Sequence, residues 1–397
     1  MECMHDYLIV GAGMAADAAA KAIRESEPSA NIGIVGDEVH APYQRPPLSK
    51  ALWKGDKSPA DIDLATAKSG AQLHLDRHIV SLDRVAHIAR DDHGDSYCYR
   101  RLLLATGATP RRLPFDGGDR LIHFRTLDDY QALRRYAQPG AYIAVVGGGF
   151  IGCELAASLC SVGCKVTMLF PGESLGAGRY PDGLARHLDA YYRSCGVTLR
   201  SGIKVVGGSA TDGGVELALS DGEVLRVEAV VAGLGVTPDI ALAEQAGLKV
   251  DNGIVVDAQL RTSDADIWAA GDVANFHSLA LDRRLRVEHE DAAVGMGRVA
   301  GRVMAGAAAT YTTLPFFYSD LFEFGYEAVG LLDNRLQVVE DWREPYREGV
   351  VYYLDGGRVR GVLLWNVWDQ VDAARELIAE PGPFDAASLR GRLPRSA

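Results

Sequence analysis

At 397 residues the chain is too long for a single core, so two or three domains are expected, and 48% apolar with 24% charged residues is a globular composition. A net charge of −12 argues against broad binding to nucleic acid or anionic membranes, and no apolar run approaches the ~20 residues of a membrane span. No basic-then-apolar leader precedes the first strand. The six scattered cysteines (Cys3, Cys98, Cys153, Cys160, Cys164, Cys195) suit a reducing cytoplasm rather than a secreted disulfide scaffold.

Residues 7–10 are an apolar run that predicts a buried strand. Gly11-Ala12-Gly13-Met14-Ala15-Ala16 then turns into an alanine-rich helix to about Ser26, and a strand over 31–35 ends on Gly36-Asp37-Glu38. Residues 102–104 run into the small-residue turn Ala105-Thr106-Gly107-Ala108. The opening grammar then returns: a strand over 142–146, the turn Gly147-Gly148-Gly149-Phe150-Ile151-Gly152, a helix to about Val162, and a strand over 165–170. Residues 230–234 lead into Gly235, and 267–270 lead into Gly271-Asp272. From about Thr310 the texture becomes aromatic-rich, with a hairpin over 350–354 and 358–364 turned by Asp355-Gly356 and a helix over 369–379. The tail after Pro381 is expected to be loosely held.

Each glycine copy begins a doubly wound α/β sheet. The first glycine allows the tight turn and the second lets backbone approach a pyrophosphate. The third position, Ala16 or Gly152, lets helix and strand pack closely, with the pyrophosphate at the positive end of the helix. Two copies imply two dinucleotides and electrons passing between them.

Together with these turns, the stretch Pro42-Tyr43-Gln44-Arg45-Pro46-Pro47-Leu48-Ser49-Lys50 and the sequences Ala105-Thr106-Gly107 and Ala270-Gly271-Asp272 resemble one flavoprotein family. It comprises oxygenase-coupled ferredoxin reductases, rubredoxin reductases and apoptosis-inducing factor. Leu169-Phe170-Pro171, the run from Arg286 to Asp291, Phe317-Tyr318-Ser319-Asp320 and Gly325-Tyr326-Glu327-Ala328 are most similar to the apoptosis-inducing-factor branch. The resemblance implies an FAD domain (1–113 and 237–308) split by an inserted NAD(P) domain (114–236), then a C-terminal α+β domain (309–397).

It also implies roles. For FAD these fall on Gly11, Gly13, Met14, Ala15, Ala16, Arg45, Lys50, Ile79, Thr106, Gly107, Arg111, Gly271, Asp272, His289, Glu290 and Tyr318, where relatives commonly carry tryptophan. Asp37 and Glu38 end the second strand, where an acid accepts the adenosine ribose hydroxyls. For NAD(P) they fall on Gly147, Gly148, Gly149, Phe150, Ile151, Gly152, Glu154, Gly235, Glu288 and Glu327. Phe170 holds the usual selectivity position, so Glu173 for the ribose of NADH competes with Arg179 for a 2′-phosphate, and NADH is favoured. Lys50 and Glu154 are the expected catalytic pair: a buried ammonium and a buried carboxylate are tolerable together and would hold the two rings in register. The helix from about Glu290 to Met304 would turn its positive end towards the flavin. Glu288-His289-Glu290 lacks the spacing of a metal site, so no metal is expected.

Disulfide reductases with two dinucleotides carry a cysteine pair after the adenosine strand; here no cysteine lies between Cys3 and Cys98. Electrons are therefore expected to leave directly from FAD for a one-electron acceptor, ferredoxin or rubredoxin. Arg111-Arg112, Arg134-Arg135 and Arg283-Arg284-Arg286 are candidate basic patches for an acidic carrier. Quinone or oxygen reduction, and slow turnover with redox sensing, are the alternatives, and a homodimer is left open.

Overall fold

The structure is a computed structural model that describes residues 4–393; Cys3 lies outside them. The chain forms two compact units. The first comprises Met1–Arg45, Ala60–Thr109 and Thr237–Pro315; the second comprises Pro46–Pro59, Pro110–Val236 and Phe316–Ala397.

In the first unit the strand Met4–Val10 pairs in parallel with Ile32–Gly36 on one side and Ser96–Leu104 on the other. Gln72–Leu75 extends one edge, and Ile267–Ala269 pairs with the end of Ser96–Leu104. Burial on both faces explains why these strands read as continuous apolar runs rather than alternating ones. Val10 is level with Val35 and Leu104, and Leu104 with Ala269. The residues that follow each strand, Gly11, Asp37, Thr106 and Asp272, are thus delivered to one carboxyl edge, where open α/β sheets hold ligands.

Helix Met14–Ser26 packs on this sheet and against helix Glu290–Met304. Small residues make the approach: a Cβ on Gly297 would overlap the Ala15 carbonyl oxygen, and one on Gly301 the Ala19 carbonyl oxygen. At the amino end of the sheet, His5 is buried against Gly33 and its ring meets His74 edge-on at 5.8 Å. Burial lowers both histidines below their ordinary value of 6.5, against the pull of Asn31 on His5. The unfolded rings take up protons at a higher pH than the folded ones. Their contribution is therefore complete above pH 6.5 and is lost as pH falls below it. Melting curves at pH 7.5 and 5.5 should show a smaller acid-induced drop in His5→Gln than in the wild type; equal drops would refute this.

In the second unit five parallel strands lie in the order Thr198–Ser201, Lys165–Phe170, Tyr142–Val146, Ala229–Ala232 and Leu121–His123. An antiparallel sheet of Val205–Thr211, Gly214–Leu219 and Val224–Val227 accompanies them, which the sequence reading did not separate from its surroundings. The C-terminal region is a five-stranded antiparallel sheet, with helix Val371–Ala379 against Phe324–Gly330 and Arg358–Trp365. Its tight hairpin closes through Gly356-Gly357, not Asp355-Gly356. Asp355 still pairs with Arg358, and the two central positions both need positive φ, +55° and +78°. The tail is also better held than expected. Asp385 and Ser388 form a reciprocal cap on Ala386–Leu389, Leu389 is buried, and the Gly391 amide donates to Asp341. Among the described residues no helix is long and apolar enough to cross a membrane.

Candidate functional site

The two glycine turns share one construction. In the first unit Gly11 has φ +107° and a Cβ there would overlap the Ala105 carbonyl oxygen, just past the end of the neighbouring strand. In the second unit Gly147 has φ +122° and its Cβ would overlap the Gly233 carbonyl oxygen; one on Gly152 would overlap the Gly147 carbonyl oxygen. Both turns are thus closed by backbone approach that only glycine permits.

The middle glycines behave oppositely. Among the described residues, nothing beyond the chain neighbours lies within 4 Å of a Cβ placed on Gly13 or Gly149. These residues cap helices Met14–Ser26 and Phe150–Ser161, and neither helix receives a side-chain cap. Helix Leu127–Tyr136 differs, its amides being satisfied by a reciprocal Thr126–Asp129 box. Open space beside uncapped amides fits the pyrophosphate of a dinucleotide at each turn.

Around the first cradle, Met14, Ala15 and Ala16 form the opening helical turn, and Thr106 Oγ1 donates to the Asp239 carbonyl at 2.8 Å. Gly107 accepts from the Asp239 amide, and Gly271 takes φ +79° before Asp272. Ile79 is a core residue at the start of its strand. Glu38 is engaged twice, by Arg45 Nη2 and by the Tyr43 hydroxyl, each at 2.6 Å. Asp37 is exposed and 3.2 Å from His78 Nδ1. Glu288 pairs with Arg286 at 2.8 Å, and Arg286 also donates to the Asp272 carbonyl. His289 and Glu290 stand at the start of the helix. Burial takes the His289 imidazole down to about 4, with Asp272 pulling the other way, so it is neutral at pH 7.

Lys50, Arg111 and Tyr318 belong to the second unit, with the residues assigned to NAD(P), whereas Glu288 belongs to the first. The centre of the second unit is the carboxylate of Glu154, on the second turn of helix Phe150–Ser161 and 3% exposed. Lys50 Nζ meets Glu154 Oε1 at 2.7 Å and lies 5.0 Å from the centre of the Tyr318 ring. The Lys50 turn is tethered by Trp53. Its indole N–H donates to the Leu48 carbonyl, and its ring meets Tyr130 edge-on at 5.3 Å and carries the Arg134 guanidinium at 5.1 Å. Three residues outside the expected set complete this centre: Ser49 and Ser319, which donate to Glu154, and Ser158, which donates to the Ser49 carbonyl. Ser49 and Ser319 stand inside the motif stretches quoted above, the only signal that could have marked them.

The remaining second-unit residues are more dispersed. Arg179 stacks over Phe150 at 4.3 Å, and its carbonyl accepts from the Tyr353 hydroxyl. Glu173 is exposed in the turn beyond Lys165–Phe170, and Ile151 is partly exposed. Gly148 faces the Phe170 ring, and Gly235, at φ +79°, accepts from the Arg111 amide. Glu327 pairs across strands with Tyr318; burial, then the nearby Asp369, raises its pKa, and Oε2 has no hydrogen-bond partner.

No group of metal-ligating side chains occurs among the described residues. Cys153 is pushed up to about 12 and Cys164 to about 11, in each case by burial first, so neither is poised as a thiolate. The candidate basic patches are thinned by structural duties. Arg284 donates to the carbonyls of Val256 and Asn275, Arg286 serves Glu288, and Arg134 covers Trp53.

A family profile described as pyridine nucleotide-disulphide oxidoreductase matches residues 5–297, and one for the C-terminal part of mitochondrion-associated apoptosis-inducing factor matches 340–380. The chain is 35% identical to the anthranilate 1,2-dioxygenase system ferredoxin–NAD(+) reductase component of Burkholderia cepacia, over 96% of each protein. It is 31% identical to mitochondrial apoptosis-inducing factor 1 of Dictyostelium discoideum, over 94% of this chain and 78% of that one. A crystal structure of a covalent putidaredoxin reductase–putidaredoxin complex superposes with a TM-score of 0.90 at 31% identity, over 96% of this chain and 94% of the other. The chain therefore belongs to the pyridine nucleotide-disulphide oxidoreductase family, as an NAD(P)H-dependent flavoprotein oxidoreductase of the ferredoxin reductase type.

Proposed function

We propose that this protein takes hydride from NADH and delivers electrons singly to a small iron-containing carrier, a ferredoxin or rubredoxin, without a cysteine pair. The FAD that the first cradle fits supplies the change from a two-electron donor to one-electron steps. The carrying observation is the buried Lys50–Glu154 pair, 2.7 Å apart, in the segment where a disulfide reductase of this fold needs sulfur. Lys50 provides a fixed positive charge, Glu154 holds that charge in place, and the uncapped turn at Gly149 binds the donor's pyrophosphate. The raised thiols of Cys153 and Cys164 support a route without sulfur. The relatives named above, one of them crystallised in a covalent complex with putidaredoxin, support a protein carrier.

Cytochrome c reduction driven by NADH should be fast only when a ferredoxin or rubredoxin is added. Fast quinone reduction without a carrier would replace this reading by a quinone reductase. Slow turnover with a persistent NAD-bound state and a changed oligomer would favour the sensor reading, which the match at 340–380 motivates.

For the donor, Glu173 is free of the stacking that engages Arg179, and it can accept the two ribose hydroxyls of NADH. Glu173→Ala should lower the preference for NADH over NADPH, measured as a ratio of kcat/KM, by about tenfold. An unchanged ratio, or a wild type that prefers NADPH, would remove the assignment.

A further inference from the structure

One face of helix Phe150–Ser161 makes three successive contacts. Phe150, Glu154 and Ser158 are spaced four apart, so they stack along one side of the helix. The Phe150 ring meets Phe317 at 4.7 Å. Glu154 Oε1 accepts from the Ser319 hydroxyl at 2.6 Å, and Oε2 accepts from the Ser49 hydroxyl at 2.6 Å. Ser158 Oγ donates to the Ser49 carbonyl at 2.7 Å. Phe317 and Ser319 alternate on one face of strand Phe316–Leu321, so the strand and the Pro46–Ser49 turn grip the same carboxylate from two directions.

We propose that Ser49 and Ser319 are positioning residues for hydride transfer: they fix the plane of the Glu154 carboxylate and, through it, the direction of the Lys50 ammonium. The proposal rests on the reading of Lys50 and Glu154 as the catalytic pair. An ammonium is a point charge on a flexible stem, and one ion pair leaves its direction undetermined. A carboxylate anchored at both oxygens cannot turn, and the Lys50 Nζ bound to Oε1 is then confined between that oxygen and the Tyr318 ring. The hydroxyls are committed to this task. Ser49 and Ser319 are 2% and 1% exposed, and the Ser49 hydroxyl lies much nearer Glu154 than the Pro46 carbonyl, 3.5 Å away. The two oxygens thus have three donors, from the motif turn and the C-terminal sheet, and the buried charge is satisfied as burial demands.

The test compares Ser319→Ala, Ser49→Ala and Ser319→Thr holoenzymes with the wild type and with Lys50→Ala. Anaerobic stopped-flow mixing with NADH gives a limiting rate and a dissociation constant, and equilibrium dye titration gives the flavin midpoint potential without turnover. Each alanine variant should lose about tenfold in limiting rate, with the NADH dissociation constant within about twofold of wild type. Its midpoint potential should move in the same direction as in Lys50→Ala. Ser319→Thr, which keeps the hydroxyl on a strand that tolerates branching, should restore both. In a Lys50→Ala background Ser319→Ala should change neither quantity, because the serine acts through the lysine. Wild-type rate and potential in the serine variants, with Lys50→Ala slow, would overturn the positioning role and leave the catalytic pair standing. So would an equal loss with and without Lys50. A wild type that neither NADH nor NADPH reduces would remove the catalytic pair itself, and this role with it.

Discussion

Lys50→Ala is expected to slow the reduction of bound FAD by NADH by about a hundredfold or more, with FAD retained. The side chains that contact Lys50, Glu154 and Tyr318, lie in the second unit, whereas the Gly11–Gly13 turn proposed to hold FAD is built from the first, so removing the Lys50 side chain leaves that turn intact. The variant also isolates a buried carboxylate. Breaking a buried pair from one side typically costs about 3–5 kcal/mol, softened here by the two serine hydroxyls that continue to donate. Lys50→Met with Glu154→Leu separates the two effects. An apolar replacement of similar volume removes the uncompensated charge, so its melting temperature should recover while flavin reduction stays slow. Recovery of the rate in that double variant would reduce the pair to a structural contact.

The second large effect lies in the glycines. Gly152→Ala should abolish NADH-dependent reduction and destabilise the second unit by about 3 kcal/mol or more, because the new methyl group meets a carbonyl oxygen that no side-chain rotation can move. Gly149→Ala should differ in kind. Its methyl group enters open space, so the unliganded melting temperature stays near wild type, yet NADH affinity falls by about tenfold or more because the pyrophosphate must occupy that space. Calorimetric titration together with melting curves distinguishes the two. A Gly149→Ala protein that binds NADH normally would show that the pyrophosphate does not lie against this turn.

The parts of this molecule that were legible in its sequence are those that repeat locally. Strand, glycine turn and helix announce themselves within about thirty positions, and both such helices start at the residue after the second motif glycine. The hairpin shows the limit of this: Asp355-Gly356-Gly357 offers two adjacent frames for one turn, and only the pairing of Asp355 with Arg358 selects between them. Ser49 and Ser319 were harder, since nothing periodic links either to Glu154, which lies 105 positions from one and 165 from the other. The basic clusters are ambiguous in sequence for a related reason. A run of arginines has the same composition whether it faces solvent or, like Arg284, ties down backbone carbonyls. Glu38 was legible as an acid at a strand end, but its engagement by Arg45 and Tyr43 depends on the course of the following loop.

The abutment of Gly11 on Ala105, and of Gly147 on Gly233, has a thermodynamic consequence. Each bend proposed to face a pyrophosphate is braced from behind by the backbone just past the next strand, so its amides are held in place by the polypeptide alone. A nucleotide that docks at either bend would order little polypeptide, so its affinity should not be diminished by the entropy of stiffening a loop.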